Sequence, residues 1–428
     1  MNHLFGNRNN LFSGLHGNTP EENFIAGINT TEGKLNKQKI IALAKSNGVN
    51  ADETQIKELY EVAVMRGLKN RLTGDIYKNY QTAREIYENQ VNFAHRTSNS
   101  VLLQQYSTPL PLAYLAGAYV LQGQYDSAMY FEPSAGNGLL TVALPTQQTI
   151  VNEIDRNRRK NLETFGNYYN VLNQDASKKI LNDPAFNGII TNPPFGRWDT
   201  EKIGSYPISK LEHIMAIRAL DTMKDNGRAA IIIGGHTEWD AYSRVQNGAN
   251  RYFLSYLYHY YNVDDVINID GQMYRKQGTT FPIRLILITG RKSTPDGTAP
   301  LKTDYDYTVR TFDELWKRMA MYFENKGTRL SNLEKEMQAA IAEMEKEVGI
   351  DKLNGIKKNV PKYLTKPLSA YTIVENGTDL TDWRDGAHEI SKRIEQRKGY
   401  GLKIPDYYYT RLSKLMDKIE IKRTKYNI

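Results

Sequence analysis

Short apolar runs alternate with helical patterns between residues 101 and 293, and this alternation constrains the fold more than any other feature. A third strand is expected to end near "NVLNQDAS" (170–177), and a helix is expected over 209–227, ending at Asn-Gly. Strands that alternate with helices predict an α/β fold with a doubly wound, mostly parallel sheet. The remaining predicted strands are 127–132, 148–154, 187–191, 228–234, 264–269 and 283–289.

The segments on either side of this region have a different pattern. Residues 1–98 carry apolar residues at helical spacing and predict a helical N-terminal region, of which about the first 20 are expected to be disordered. Residues 294–428 predict a mostly helical, basic C-terminal region, with a charge-rich helix over 329–349. The sheet domain is therefore expected over 99–293.

Composition excludes several kinds of site. The chain has no cysteine, which rules out disulfides, thiolate zinc sites and cysteine nucleophiles and fits a reducing cytoplasm. The seven histidines are scattered without metal-ligand spacing, so no metal site is expected. No apolar run approaches the roughly 18 residues of a membrane span, so no membrane partner is expected. A net charge of +8 allows a polyanionic partner.

A glycine-containing turn follows the first predicted strand, in "MYFEPSAGNGLLT" (129–141). The strand is expected to end at Phe131-Glu132, Pro133 turns the chain, and Gly136 and Gly138 are expected to open a helix. Glycines here allow backbone N–H groups to approach a ligand closely. The spacing G-x-G-x-x-G is incomplete, since no third glycine follows Gly138 at that interval. A nicotinamide or flavin dinucleotide is therefore disfavoured.

Carboxylates follow the next two strands. Glu153 ends the second strand about 20 residues after the glycine turn, where a carboxylate can accept both ribose hydroxyls of an adenosine-containing ligand. Asp155, two residues later, can instead serve as a helix N-cap. Asp175 follows the third strand, where it can accept a hydrogen bond from an adenine amino group or serve simply as a turn residue.

Asn192, Pro193, Pro194 and Phe195 follow the fourth strand. Prolines at a strand end remove backbone donors and stiffen the chain. The asparagine amide and the proline carbonyl would therefore be held as rigid hydrogen-bond acceptors beside an aromatic ring.

These features, in this order, resemble the class I S-adenosylmethionine-dependent methyltransferases, which have a Rossmann-like sheet. "NPPF" is similar to the motif of amino-methyltransferases, and "QQYSTPLPLAYLAG" (104–117) resembles the segment before the glycine turn in DNA adenine-N6 methyltransferases, in the order of their gamma group. The resemblance covers about residues 101–292 and implies that 99–293 is the catalytic domain. It implies S-adenosylmethionine as cofactor, bound by Thr108, Phe131, Glu132, Pro133, Gly136, Gly138, Glu153, Ile154, Asp175 and Asn192.

The resemblance also implies a mechanism. The Asn192 side-chain oxygen and the Pro193 carbonyl would accept hydrogen bonds from the two hydrogens of an adenine amino group. Pro193 and Pro194 would hold these two acceptors rigid, and Phe195 would stack on the base. The base must be flipped out of a duplex or be single-stranded already. Tyr274, in a segment that resembles the late family motif, is a second stacking candidate or else a packing tyrosine.

The partner expected from the resemblance is DNA, with recognition assigned to the C-terminal region. Residues 352–366 hold five lysines and no acid, and residues 391–428 hold eleven Lys/Arg against four Asp/Glu. A basic, tyrosine-rich segment can bind phosphates and stack on bases, or can be a solvated surface. Alternatives remain: a methyltransferase of release-factor glutamine or of rRNA guanine N2, and an inactive nucleic-acid-binding homologue. The oligomeric state and recognition sequence do not follow from the sequence.

Overall fold

The computed structural model describes residues 19–93 and 107–323, apart from 125 and 182, together with 390–394, 396–397, 404, 408–409 and 412–413. The chain divides into two compact units, Met1–Phe323 and Glu324–Ile428. The predicted helix at 329–349 and the lysines of 352–366 lie outside the described residues, as do the first 18 residues and most of 391–428. In the second unit, the described residues 390–394 and 396–397 are helical.

Four helices precede the sheet, and each begins at a residue whose side chain caps it. Thr19 and Asp52 each form a capping box, in which the cap side chain and a residue three positions later exchange hydrogen bonds with the backbone. Asn36 and Asp75 accept a single backbone N–H each. The helices are α1 (Pro20–Thr30), α2 (Lys37–Ser46), α3 (Glu53–Lys69) and α4 (Ile76–Asn89).

The sheet has eight strands among the described residues, in the order β10-β8-β9-β7-β4-β1-β2-β3. Strand β9 runs antiparallel to both of its neighbours and the other strands run parallel, which confirms the predicted fold class. The strands are β1 (Tyr130–Glu132), β2 (Thr149–Asn152), β3 (Asn170–Leu172), β4 (Phe186–Thr191), β7 (Met223–Gly234), β8 (Tyr261–Ile269), β9 (Ile283–Arg291) and β10 (Thr308–Val309).

Helices cover both faces of the sheet. On one face, α5 (Leu110–Leu121) packs with α1 to α4 and with α9 (Phe312–Met319) in one continuous core. On the other face lie α7 (Leu211–Asp221) and α8 (Ala249–Tyr260). Helix α6 (Arg156–Phe165) packs on the edge formed by β2 and β3. No helix in the described part of the chain is long and apolar enough to span a bilayer.

The structure differs from the sequence prediction in several places, among them the unpredicted edge strand β10, which lies beyond the sheet domain expected over 99–293. The helix predicted over 209–227 ends at Asp221, because Met223 is fully buried and pairs with Phe186 of β4, so that 223–227 extend β7. A hairpin of β5 (Arg197–Ile203) and β6 (Tyr206–Lys210) follows "NPPF" and was not predicted. The glycine turn opens only a 3-10 turn at Leu139–Thr141, since Pro145 follows too soon for a full helix.

Candidate active site

A cavity lies at the carboxyl ends of β1, β2, β3 and β4. Between β1 and β4 the strand order reverses direction, and such switch points are where α/β sheets bind ligands. The residues that follow each of these strands line the cavity, so it joins segments from four parts of the chain. Nine of the residues assigned to the site from the sequence line it: Thr108, Pro133, Gly136, Glu153, Ile154, Asp175, Asn192, Pro193 and Pro194.

The glycine turn forms one wall of the cavity. Gly136 has φ +56°, a conformation that favours glycine, and a Cβ atom there would meet no other atom within 4 Å. Gly138 does not line the cavity; with φ +87° it packs against Tyr168, whose hydroxyl would lie 2.4 Å from an added Cβ. A single 3-10 turn follows instead of the expected helix, and the backbone N–H of Gly136 donates to the Glu153 carboxylate.

Glu153 is the carboxylate best placed at the cavity. It is 6% exposed, and its two oxygens accept from the N–H groups of Gly136 at 2.7 Å and Asp155 at 2.8 Å. Burial raises the pKa of Glu153, and these hydrogen bonds and Arg158 oppose the rise. Asp155 caps α6 by accepting from the N–H groups of Asn157 and Arg158, so it is the N-cap that the sequence allowed.

Asp175 also lines the cavity and at the same time forms a turn. Its Oδ1 accepts from the backbone N–H of Ser177 at 3.0 Å and from the Ser177 hydroxyl at 2.6 Å. Hydrogen bonds from Ser177, with Lys178 nearby, lower the pKa of Asp175 against a smaller opposing effect of burial, so it is a carboxylate at neutral pH. Both roles considered for this residue are therefore compatible with its position.

Asn192 meets Thr108 at the opposite end of the cavity from Asp175. The Asn192 Nδ2 donates to the Thr108 hydroxyl at 3.0 Å, and this hydrogen bond anchors the side chain. Thr108 is 3% exposed and lies two residues before the first residue of α5, whereas Asn192 directly follows β4. Pro193 and Pro194 continue the same wall. A rigid amide next to two prolines is thus part of the cavity.

Phe195 lies beside the end of β7 and outside the set of cavity-lining residues. Its ring is 5.8 Å from that of Phe281, which is 49% exposed. Both rings pack on Gly234: a Cβ there would lie 2.9 Å from the ring of Phe195 and 3.0 Å from that of Phe281. Phe281 did not emerge from the sequence, because nothing in "TTFPIR" shows that it meets Phe195.

The structure places three other predicted residues away from the cavity lining. Phe131 is fully buried and stacks on Phe186, with 4.8 Å between ring centroids. Glu132 is fully buried and accepts from the Ser134 backbone and hydroxyl, so it shapes the turn that Pro133 begins. Tyr274 is 2% exposed in the core that α5 shares with the N-terminal helices, and offers no accessible ring face.

Several lining residues could not be assigned from the sequence. Ser107, Asn137 and Arg158 come from three separate elements, and Leu211 and Met215 come from α7. Among these residues only Asn137 had a local sequence signal, which is its position between Gly136 and Gly138. His236 lies 2.8 Å through its Nε2 from the carbonyl oxygen of Ile269, a contact that gives this histidine a structural role. In the described ranges no group of three or more His, Asp or Glu side chains could hold a metal ion.

Several solved structures that this chain resembles are described as methyltransferases or methyltransferase subunits. A type I restriction-modification methyltransferase subunit from Streptococcus thermophilus aligns with TM-score 0.42 and 14% identity over 67% of this chain and 62% of its own length. The M protein of the type I restriction enzyme EcoKI aligns with TM-score 0.36 and 13% identity over 67% and 71%.

A candidate class I S-adenosylmethionine-dependent methyltransferase from Listeria monocytogenes aligns with TM-score 0.38 and 13% identity over 71% of this chain and 92% of its own length. No family model matches the sequence, and no curated protein matches it. At these identities the likeness concerns the fold, so the function has to be argued from the site's own side chains.

Proposed function

We propose that the chain is an S-adenosylmethionine-dependent DNA methyltransferase that acts on the exocyclic amino group of adenine. The observation that carries this proposal is the asparagine amide of Asn192, held by Thr108 in a cavity wall that continues into two prolines. An aromatic pair, Phe195 and Phe281, lies directly beyond that wall.

The Thr108 hydrogen bond supports one assignment of the two amide atoms. With Nδ2 donating to the Thr108 hydroxyl, we assign Oδ1 as the atom that accepts from a substrate amine. The Pro193 carbonyl is the second acceptor. Two acceptors on one amino group draw its nitrogen towards sp3 geometry and localise the lone pair, which otherwise delocalises into the ring. The rigidity of the prolines means that these acceptors need little reorganisation during the reaction.

The cavity fits an adenosine-containing methyl donor. The Glu153 carboxylate is suited to accept from ribose hydroxyls, and Asp175 to accept from an adenine amino group. Gly136 leaves room for close approach of a ligand to the backbone, since nothing lies within 4 Å of the Cβ position. When bound, S-adenosylmethionine supplies an electrophilic methyl group with a neutral thioether as leaving group. The chain itself holds the amine and needs no nucleophile of its own.

The aromatic pair is suited to hold a planar base. Phe195 follows Pro194 directly, and Phe281 is half exposed at a ring distance of 5.8 Å. A base inside a duplex cannot reach the Asn192 amide, so double-stranded DNA must release the adenine by flipping, and single-stranded DNA can offer it directly. We assign base stacking to Phe195 and Phe281 in preference to Tyr274, which is buried.

DNA as the carrier of the amine rests on charge and on the resemblance of the motifs. The net charge of +8 favours a polyanion. The predicted target-recognition region over 294–428, with its basic segments at 352–366 and 391–428, remains a proposal, since those segments lie mostly outside the described residues.

A transfer assay with tritium-labelled S-adenosylmethionine tests this function. DNA, ribosomal RNA and release factor are offered side by side to the purified protein, with Asn192→Ala as the matched variant. Label in DNA that depends on Asn192 is the expected result. Label in rRNA or release factor alone would show that the amine belongs to another molecule, and no label in any acceptor would contradict catalysis.

A further inference from the structure

Helix α3 carries two buried carboxylates to the back of the cavity. Glu58 is 9% exposed and Glu61 is 3% exposed, and their spacing of three residues places them on the same helix face. Buried carboxylates are costly unless other groups hydrogen-bond to them or pair with their charge. Their partners therefore indicate why these two acids are present.

Glu61 joins two walls of the cavity. Its Oε2 accepts from the Ser107 hydroxyl at 2.8 Å and from the Asn137 side-chain Nδ2 at 2.8 Å. Both partners line the cavity, Ser107 from the segment before α5 and Asn137 from the glycine turn. The Asn137 Oδ1 also accepts from Asn161 of α6 at 3.0 Å, which fixes the amide. One carboxylate oxygen thus sets the position of both lining side chains.

Glu58 acts on a third lining residue in a similar way. Its Oε1 accepts from the Arg158 Nε at 3.2 Å, and both side chains are about one-eighth exposed. Arg158 lies on α6 and lines the cavity. Its positive charge lowers the pKa of Glu153, against the rise that burial causes. Helix α3 is therefore connected, through Arg158, to the proposed ribose-binding residue Glu153, and through Glu61 to the glycine turn.

The position of Ser107 indicates which part of the ligand Glu61 serves. Ser107 directly precedes Thr108, and Thr108 accepts a hydrogen bond from Asn192. Asn192 is the residue proposed to hold the amine that receives the methyl group. Glu153 and Asp175, assigned to ribose and adenine, lie at the ends of β2 and β3 instead. Ser107 and Asn137 therefore belong with the amino-acid end of the donor.

We propose that Glu61 is a positioning residue for the amino-acid end of S-adenosylmethionine, so that helix α3 completes the cofactor site. This inference rests on the proposed function, since it takes the donor to be S-adenosylmethionine. Glu61 acts through Ser107 and Asn137, which face the ligand. The helices that precede the sheet are then a part of the binding site and not only a packing partner for it.

The test is binding by titration calorimetry with two ligands. S-Adenosylhomocysteine has the amino-acid end, and methylthioadenosine lacks it but keeps the ribose and adenine. Glu61→Gln removes the charge and leaves two donors with a weaker acceptor, so we expect about a tenfold loss of affinity for S-adenosylhomocysteine. The affinity for methylthioadenosine is expected to change less than about twofold. Glu53→Gln, on the same helix but away from the cavity, should change neither.

The outcomes separate the two proposals. Equal losses for the two ligands, or no loss for either, would overturn the role of Glu61 while leaving the proposed function in place. Failure of the unmodified protein to bind either ligand would overturn the proposed function and the role of Glu61 with it. Glu61→Asp provides a second variant if Glu61→Gln does not fold: it keeps the charge but is too short to reach both donors, so the same selective loss is expected.

Discussion

The side-chain amide of Asn192 donates to the Thr108 hydroxyl at 3.0 Å, across 84 residues of chain. This contact joins the end of β4 to the segment before α5, and in this orientation we assign the amide oxygen as the acceptor for a substrate amine. The proposed chemistry depends on that orientation, because an amide turned by half a rotation would present donors to the amine.

Removal of the Thr108 hydroxyl should therefore impair catalysis without unfolding the chain. Thr108→Val keeps the shape of the side chain but removes its hydrogen bond with the Asn192 amide, and we expect kcat to fall about 5- to 30-fold, the range for a lost hydrogen bond of about 1–2 kcal/mol. Steady-state methylation kinetics provide the measurement. Thr82→Val, on the exposed face of α4, is the matched control, and an unchanged kcat in Thr108→Val would contradict the anchoring role.

Gly234 should be required for the geometry of the aromatic pair. A methyl group there would lie within about 3 Å of both rings, so Gly234→Ala must displace Phe195 and Phe281. We expect a higher KM for DNA and a lower kcat, with cofactor affinity unchanged. Gly74→Ala is the control, since a Cβ at that position meets nothing within 4 Å. An equal loss of cofactor affinity in Gly234→Ala would argue against a role confined to the base.

Glu153 should make the site selective for an intact ribose. In the unmodified protein, S-adenosylhomocysteine should bind at least about tenfold more tightly than its 2′,3′-dideoxy analogue, because the carboxylate loses its hydroxyl partners in the analogue. In Glu153→Ala this preference should largely disappear. Asp155→Asn, which alters only the cap of α6, should keep it. Loss of the preference in Asp155→Asn but not in Glu153→Ala would show that Asp155, and not Glu153, binds the ribose.

Glu132 should make the stability of the protein depend on pH. Burial raises the pKa of its carboxyl from 4.5 to about 8, against the hydrogen bonds from Ser134. Between those two values the folded protein keeps a proton that the unfolded chain has lost, so the free energy of unfolding decreases as pH rises and levels off above about 8. Glu132→Gln removes the titrating group.

Thermal unfolding across that pH interval measures this effect. The Tm of Glu132→Gln should fall less steeply than that of the unmodified protein, whatever its absolute value. Glu163→Gln, on the exposed side of α6, should leave the slope unchanged. Parallel pH profiles for Glu132→Gln and the unmodified protein would show that the carboxyl titrates normally.

Local sequence signals predicted seven of the eight described strands of the sheet and the residues that follow them. Continuous apolar runs such as "RAAIIIG" can be recognised as strands because both faces of a strand inside such a sheet are buried. The hairpin of β5 and β6 escaped prediction because four of the seven residues of β5 are charged and the two strands pair only with each other. The end of α7 was misplaced because Asn-Gly is a stop signal, while the pairing of Met223 with Phe186 depends on the assembled sheet.

The cavity was predicted only where its residues follow strands. Glu153, Asp175 and Asn192 could be found because strand ends meet at one edge of the sheet. Contacts such as Glu61 with Asn137, 76 residues apart, have no local signal. The same is true of the Phe195–Phe281 pair, which forms only because β7 and β9 are neighbours in the sheet.

The central claim is that Asn192 presents an acceptor to the amino group of adenine in DNA. Mass spectrometry of nucleosides from DNA incubated with the purified protein and S-adenosylmethionine tests it most directly. We expect N6-methyladenine with the unmodified protein and a loss of at least about 100-fold in Asn192→Ala, with affinity for S-adenosylhomocysteine nearly unchanged. Methylation of a different base, or undiminished N6-methyladenine in Asn192→Ala, would contradict the claim.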